Sequence, residues 1–389
     1  MPHRVILPVS EPVYQPNPHS MKQLLLFLAL TVSSQAFTQI MPVSREPYGG
    51  NKRAWVSEQL GVVKIDISYN RPGVKGREGK VYGTGVAHYG FVDLGHGTTN
   101  AAPWRAGANE NTTISFSHPV TIEGKPLPAG KYGFFIALGE TESTIIFNKI
   151  NNSWGSFYYD ETQDALRVTV KHQNLAESVE WLKYDFSDET DNSVVIAMSW
   201  ERRRFPFRVE ADTKGLQVAE FRSSYRTTRG YEDILVGVYW CIENNYELDQ
   251  ALAWADRAIS MRVMGQKNFR TLAAKAGVLN AMKRPDEARQ IMNEALPLGT
   301  SREVHFYGRQ LLGEKMYKEA QQVFKVNYDK HPEDYYTHVG LARAYSALGD
   351  YKKALSLMKS GLERVGNDAA AKANITAMIE KLEKGQDVN

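Results

Sequence analysis

Hydrophobic and polar residues alternate along the first half of the chain. From Val63 to Tyr69 and from Leu166 to Val170, every second residue is apolar, as in a strand with one buried face. Other short segments alternate in the same way or are apolar throughout: 114–116, 120–122, 132–136, 144–147, 182–186, 194–200 and 205–209. Clusters of Gly, Pro, Asn and Asp separate them. We therefore predict about eight or nine strands in one all-β domain over residues 55–210, an antiparallel β-sandwich or a barrel-like fold.

A different periodicity begins after the last of these segments. Residues 211–229 are polar and contain several Gly and Ser residues, so we predict a linker there. Beyond the linker, apolar residues recur at helical spacing. Equivalent residues, such as Tyr317 and Tyr351, lie 34 positions apart. The second half of the chain is therefore predicted to be a helical repeat.

This spacing resembles that of tetratricopeptide repeats over residues 231–366. Small residues at Gly308 and Ala342 stand where the paired helices of such a repeat approach closely. Residues 369–384 would form the polar-faced terminal helix, so that the helical solenoid spans residues 231–384. The resemblance implies a solenoid that binds a peptide or a protein. A second interpretation stays open, because residues that pack helix on helix would equally serve a structural brace.

Five motifs follow one another in the β part of the chain. They are YNRPGVKGR at 69–77, WRAGANE at 104–110, LPAGKY at 127–132, WGS at 154–156 and DALRV at 164–168. In this order they resemble the bacterial domain-of-unknown-function 2911 family over about residues 57–210, with an apparent insertion at residues 88–102. The resemblance implies a secreted, β-rich domain found mainly in Bacteroidota-like bacteria, and it implies no activity.

The N-terminus has the pattern of a secretory signal peptide. One positive charge at Lys22 precedes the apolar run 24–30, and small residues lie at Ser34 and Ala36. We predict a signal peptide over residues 21–36, cleavage near Ala36, and a periplasmic or secreted protein without a membrane span in the mature chain. The alternative is an uncleaved anchor. Residues 1–20 have no such pattern and are predicted to be an unused or non-native extension, with translation starting at Met1 or Met21.

Composition narrows the possible functions. The chain has 389 residues, of which 42% are hydrophobic and 23% charged, and its net charge is +3. These values are typical of a globular protein and give no basic stripe for a nucleic acid, so we predict no nucleic-acid partner. The single cysteine, Cys241, lies in an apolar helical run and excludes an intrachain disulfide. We interpret this cysteine as a buried structural thiol. Separately, we predict that the protein has no cofactor.

The loop at residues 102–112 holds the densest group of candidate site residues. Together with two arginines of the first motif, it gives a predicted ligand-binding set: Arg71, Arg77, Trp104, Arg105, Asn109 and Glu110. Arginines beside Asn and Glu, with Lys75 close by, can hold an anionic or sugar-like ligand through paired hydrogen bonds. The other interpretation is an internal clasp, in which Arg105 or Arg77 pairs with Glu110 and joins two loops.

Other groupings of these residues give alternative functions. An envelope hydrolase acting on glycan or peptide would use Arg105, Asn109, Glu110 and His96. A carbohydrate-binding module would use the aromatic residues Trp154, Tyr158 and Tyr159. A metal site from His88, His96 and either Asp93 or Glu110 has no recognised ligand spacing, and we predict no metal. Asp160 and Asp164 are interpreted as turn or capping residues.

No motif for nucleophilic catalysis or phosphate binding occurs in the sequence. We therefore expect an exported, non-enzymatic, two-domain binding or scaffold protein. Its possible partner is a protein or peptide, held by the helical repeat.

Overall fold

The computed structural model describes residues 50–227 and 229–389. Within these residues the chain forms ten strands followed by ten α-helices. The strands are β1 (Lys52–Leu60), β2 (Val63–Arg71), β3 (Thr112–Phe116), β4 (Val120–Ile122), β5 (Lys125–Leu127), β6 (Gly130–Ala137), β7 (Glu142–Asn148), β8 (Asp164–Lys171), β9 (Gln173–Ser187) and β10 (Ser193–Glu210).

The strands form two sheets, and every pairing between them is antiparallel. One sheet has the order β1-β2-β3-β6-β7-β8, and the other has the order β5-β4-β10-β9. The two sheets enclose one hydrophobic core, so the prediction of an antiparallel β-sandwich is confirmed.

Alternation along β2 shows why this sequence folds as a sandwich. Val63, Ile65 and Ile67 are buried, whereas Lys64 on the opposite face is exposed. The largest fully buried side chains between the sheets are aromatic, and they include Trp200, Phe134, Phe147, Phe205 and Phe207. Full burial of each such side chain stabilises the fold by roughly 1.5–3 kcal/mol relative to exposure.

The strand predictions differ from the structure in three respects. The short strand β5 was not predicted, because it has only three residues and a single buried side chain. Strand β1 was not predicted, because it lies at the sheet edge and carries polar side chains along most of its length. The segments 194–200 and 205–209, predicted as separate strands, form the single strand β10. Register shifts on either side of Glu201 allow β10 to continue along β9.

The helices fill the rest of the described chain. They are α1 (Thr213–Ser224), α2 (Tyr231–Asn244), α3 (Leu248–Ser260), α4 (Phe269–Ala281), α5 (Pro285–Ala295), α6 (Ser301–Gly313), α7 (Tyr317–Lys330), α8 (Tyr335–Ala347), α9 (Tyr351–Arg364) and α10 (Ala369–Glu383). Consecutive helices from α2 to α9 form four hairpins, and α10 packs on α9. Helix α2 also contacts α4, and α6 contacts α8. We call the surface formed by α2, α4, α6 and α8 the inner face of the solenoid.

The predicted linker contains a helix. Helix α1 begins at the N-cap Asp212, whose carboxylate accepts a hydrogen bond from the Gly215 N–H at 3.0 Å. Val218 is buried, and the Phe221 ring packs edge-to-face on Trp254 at 6.2 Å. Because most residues of α1 are polar, these few apolar contacts to the solenoid did not stand out in the sequence. The segment predicted as a linker thus contains a helix that packs on the solenoid.

Helix α1 also joins the solenoid to the β-sandwich. The Thr213 hydroxyl donates to the Asp191 carbonyl at 3.0 Å, and His118 Nε2 lies 3.1 Å from a carboxylate oxygen of Glu220. The Ala211 N–H donates to the Asn192 carbonyl at 2.9 Å. Leu216 of α1 also packs against the sandwich core, so α1 contacts the β-sandwich through both polar and apolar side chains.

No helix in the part of the chain that the structure describes is long and apolar enough to cross a bilayer. The predicted extension at residues 1–20 and the predicted signal peptide at residues 21–36 lie outside the described residues.

Two glycines of α6 test the close packing of the repeat. A Cβ atom at Gly308 would lie 2.5 Å from the fully buried ring of Phe324, whereas a Cβ at Gly313 would meet no atom within 4 Å. We expect Gly308→Ala to destabilise the protein by about 1–2 kcal/mol, because the ring cannot move aside. The matched change Gly313→Ala should stabilise it by about 0.5–1 kcal/mol. Urea unfolding checks both values, and stabilisation by both changes would contradict the packing described.

Candidate functional site

A long connection between β2 and β3, residues 72–111, covers one end of the β-sandwich. Its anchor is Trp104, which is 3% exposed and stacks on Trp200 with the ring centroids 5.9 Å apart. Trp104 also forms a backbone bridge with Ile136 of β6. Because the tryptophan is fixed to both sheets, the neighbouring polar residues of the loop are held over the end of the core.

A cleft of about 580 Å³ opens beside this anchor. We call it the cationic cleft, and its lining includes Lys75, Arg77, Trp104, Arg105, Asn109 and Trp200. None of the residues that line it is Asp or Glu. The structure thus brings together four of the six predicted ligand-binding residues, and it adds Lys75.

Bonds to backbone carbonyls hold both arginines of the cleft in place. Arg77 donates from Nε to the Val74 carbonyl at 2.9 Å and from Nη2 to the Gly73 carbonyl at 2.7 Å. Arg105 donates from Nη1 to the Asn109 carbonyl at 2.9 Å, and its guanidinium lies 5.2 Å from the Phe157 ring centroid. Burial lowers the pKa of Arg105 from its ordinary value.

The other two predicted residues lie elsewhere. Arg71 is the last residue of β2 and lies on the same face as the buried residues of that strand. It donates to the carbonyls of Leu182 at 2.7 Å and Trp181 at 3.3 Å. The Glu110 carboxylate accepts a hydrogen bond from Asn70 at 2.8 Å and lies 3.9 Å from Arg53 Nη1. Within the described residues neither Arg77 nor Arg105 is ion-paired with Glu110, so the internal clasp first considered is not formed.

The alternative groupings are dispersed in the structure. His96 is exposed and packs against Phe157 at 5.4 Å, outside the lining of the cleft that holds Arg105 and Asn109. No group of three or more His, Cys, Asp or Glu side chains in the described ranges is arranged to hold a metal ion. The hydrolase and metal groupings therefore do not form one site here.

The aromatic grouping is also divided. Trp154 and Tyr158 are 43% and 47% exposed, but Tyr159 is buried and donates its hydroxyl hydrogen to Asp164 at 2.7 Å. Asp160 caps the short helical turn at 161–163. This location agrees with the capping role that the sequence indicated for Asp160.

A second candidate site, which the sequence reasoning did not single out, lies on the inner face of the solenoid. Phe306 on α6 is 57% exposed, and the Arg302 guanidinium lies 5.7 Å from its ring centroid and 5.9 Å from that of Tyr336. Arg309 and Arg343 occupy equivalent positions of α6 and α8, 34 residues apart. That spacing was the available signal, because a repeat places equivalent residues side by side on one face.

A segment of the chain itself occupies this inner face at α8. Ser346 donates its hydroxyl hydrogen to Asp387 Oδ1 at 2.6 Å, and the Val388 N–H donates to Ser346 Oγ at 3.1 Å. Arg343 Nη1 donates to the Val388 carbonyl at 2.9 Å, and Asn389 Nδ2 donates to the Arg343 carbonyl at 3.0 Å. The Val388 side chain is 6% exposed. We call residues 387–389 the docked segment.

Burial shifts the titration of groups in the solenoid. It lowers the pKa of Arg343 to about 10, and the nearby cation Arg309 acts in the same direction. Burial also lowers the pKa of His305, beside Phe306, to about 4. In α2, burial raises the pKa of the Cys241 thiol to about 11, as expected for a structural cysteine.

Comparisons with known proteins agree with both halves of this architecture. Residues 51–209 match the model of a family described as a protein of unknown function, DUF2911, and residues 311–378 match that of the tetratricopeptide repeat. Both resemblances found from the sequence motifs are thereby confirmed. No curated protein matches the chain.

Three solved structures are similar to part of the chain. YrrB, described as a TPR protein with an unusual peptide-binding site, is 17% identical and has a TM-score of 0.26, with 42% of this chain and 86% of that chain covered. The MamA RS-1 ArsTM double mutant is 16% identical with a TM-score of 0.26, with 42% of this chain and 99% of that chain covered. MamA 41-end from Desulfovibrio magneticus RS-1 is 17% identical with a TM-score of 0.26, with 41% of this chain and 98% of that chain covered.

The position of Arg71 predicts a structural effect. We expect Arg71→Ala to destabilise the β-sandwich by about 2–3 kcal/mol, because it removes two hydrogen bonds from a charged donor to the backbone of β9. The control Arg53→Ala should change stability by less than about 1 kcal/mol, since Arg53 makes only exposed contacts, an ion pair with Glu110 and a cation–π contact with the Trp55 ring. Native-state hydrogen exchange in β2 and β9 measures the change in stability that each substitution causes. Equal effects of the two changes would contradict the assignment.

Proposed function

We propose that this protein is an exported, non-enzymatic binding protein whose helical repeat holds an extended segment of a partner protein on its inner face. The observation that carries the proposal is the docked segment. It is held at α8 by side chains that contact its backbone, its acidic side chain and its apolar side chain.

The contacts of the docked segment describe the chemistry of such a partner. Arg343 binds a backbone carbonyl, which every peptide offers, and Ser346 binds both a carboxylate and the next backbone N–H. The apolar cluster of α8, α9 and α10 takes up the valine side chain. An acidic residue followed by a small apolar residue therefore fits this position.

The inner face beyond α8 favours the same class of partner. Arg302 and Arg309 are exposed on α6, and Phe306 offers an apolar surface between them. Arginine and aromatic side chains are enriched where proteins bind one another, because both bury a large area and form directed contacts. Acidic segments with interspersed apolar residues match this surface in charge.

The β-sandwich gives the solenoid a fixed base. Helix α1 contacts the sandwich through polar side chains and Leu216, and it packs Val218 and Phe221 on the solenoid. In the proposed function the chain is thus a scaffold, in which one domain orients the binding surface of the other.

Export is the second part of the proposal. Its support is the sequence pattern of residues 21–36, in which a single cation precedes a short apolar run that ends in small residues. The proposed site of action is the periplasm or the extracellular space.

A competition experiment tests binding on the inner face. The probe is an acetylated peptide of sequence Gly-Gln-Asp-Val-Asn, and its affinity is measured by fluorescence anisotropy for the full chain and for a chain truncated after Lys384. We expect the truncated chain to bind at least about tenfold more tightly. A tethered segment competes at an effective concentration in the millimolar range, and truncation removes it.

Variants of the truncated chain locate the binding site. Arg343→Gln should weaken binding of the peptide about tenfold or more, because it removes a charged donor. The control Arg364→Ala on α9, whose guanidinium donates to the carbonyl and hydroxyl of Ser360, should leave binding unchanged. Equal affinity of the full and truncated chains, or equal effects of these two substitutions, would count against the proposal.

Mass spectrometry of the protein made in a Gram-negative host from Met21 tests export. We expect the purified periplasmic protein to begin within a few residues of Phe37, because the signal peptide is removed. Recovery of an uncleaved chain only in the cytoplasm would argue against export.

A further inference from the structure

The cationic cleft of the β-sandwich is chemically distinct from the inner face of the solenoid. Three cations line it, Lys75, Arg77 and Arg105, and no acidic residue does. Within the described residues none of the three is ion-paired with a carboxylate. Positive charge is thus concentrated in one concave region, and this raises the local concentration of anions.

Two carboxylates lie close to the same loop, but backbone groups already bind both of them. Glu180 accepts the Lys75 N–H at 3.0 Å. Glu201 is buried and accepts the N–H groups of Gly79 at 2.9 Å and Arg202 at 3.0 Å. These carboxylates therefore hold the loop in shape instead of pairing with the cations of the cleft.

The arginines are positioned in advance of any ligand. Arg77 uses Nε and Nη2 to bind its own loop, and its Nη1 makes no hydrogen bond to the described residues. Arg105 uses only Nη1, so Nε and Nη2 have no partner among those residues. The hydrogen bonds therefore fix the planes of both guanidinium groups and leave some of their N–H groups for an acceptor. Because the side chains are already ordered, the entropic cost of binding a ligand is lower.

A buried donor at the cleft supplies an independent observation. Trp200 lines the cleft and is 0% exposed, yet its indole Nε1–H has no hydrogen-bond partner among the described residues. A buried donor without an acceptor is energetically unfavourable. The cleft thus borders a buried polar group that the described residues leave unsatisfied.

We propose that the cationic cleft binds a small organic anion, a molecule with a carboxylate or phosphate group on an apolar or cyclic body. Arg77 and Arg105 donate hydrogen bonds to the anionic group, and the ammonium group of Lys75 adds charge at the mouth of the cleft. Val86 and Trp104, which also line the cleft, contact the body of the molecule. A volume of about 580 Å³ lies in the range of small-molecule sites.

Calorimetric titration of the full chain tests this site with phenyl phosphate, benzoate and neutral benzamide. We expect at least one of the two anions to bind, and to bind at least about tenfold more tightly than benzamide. Raising the salt concentration should weaken its binding, because screening reduces the attraction between charges. The comparison of phenyl phosphate with benzoate shows which anionic group the cleft prefers. If neither anion binds at a concentration of about 10 mM, at which even a weak site would be occupied, the proposal is overturned. Equal binding of benzamide and the anions would also overturn it.

Substitutions place the binding site. Lys75→Gln and Arg105→Gln should each weaken binding of the anion about fivefold or more, and the matched control Arg53→Gln, outside the cleft, should change it less than twofold. Lys75 has an exposed side chain, so this variant remains informative if Arg105→Gln destabilises the domain. Unchanged binding in Lys75→Gln together with unchanged binding in a folded Arg105→Gln would overturn the assignment. Truncation after Lys384 should not alter anion binding, which separates this site from the peptide-binding face.

Discussion

Contact between one phenylalanine and two glycines sets the geometry of the helical half. The ring of Phe324 on α7 is fully buried and lies where a Cβ atom at Gly308 or Gly340 would stand. Because neither α6 nor α8 has a side chain at this point, both helices approach the ring and each other closely. This approach places Arg302 over the ring of Tyr336. The geometry of the inner face is thus set by buried packing residues that would not themselves contact a partner.

An analogous constraint operates in the β-sandwich. The stacked rings of Trp104 and Trp200 fix a forty-residue connection to the core, and the cations of the cleft lie on that connection. In both domains a buried aromatic contact fixes the backbone, and charged side chains then occupy the surface beside it. Arginines held by backbone carbonyls need little further ordering when a ligand arrives.

Sequence pattern predicted the elements with one strongly apolar face, because burial on one side produces alternation or helical periodicity. It missed β1, an edge strand with many polar side chains, and α1, whose few apolar residues pack on the solenoid. Sequence also could not tell which candidate residues meet. Arg71 and Asn70 are neighbours on β2, yet Arg71 donates to a carbonyl of β9 and the buried Asn70 donates to Glu110. One position along a strand therefore decides which part of the chain a polar side chain contacts.

A structure of the chain truncated after Lys384 with the Gly-Gln-Asp-Val-Asn peptide bound would show whether the inner face holds an extended segment. We expect the peptide to lie along α6 and α8, with the Arg343 guanidinium bonded to a backbone carbonyl and Ser346 bonded to the aspartate. A peptide bound on α3, α5, α7 or α9, or on the β-sandwich, with the inner face empty, would contradict the proposed function.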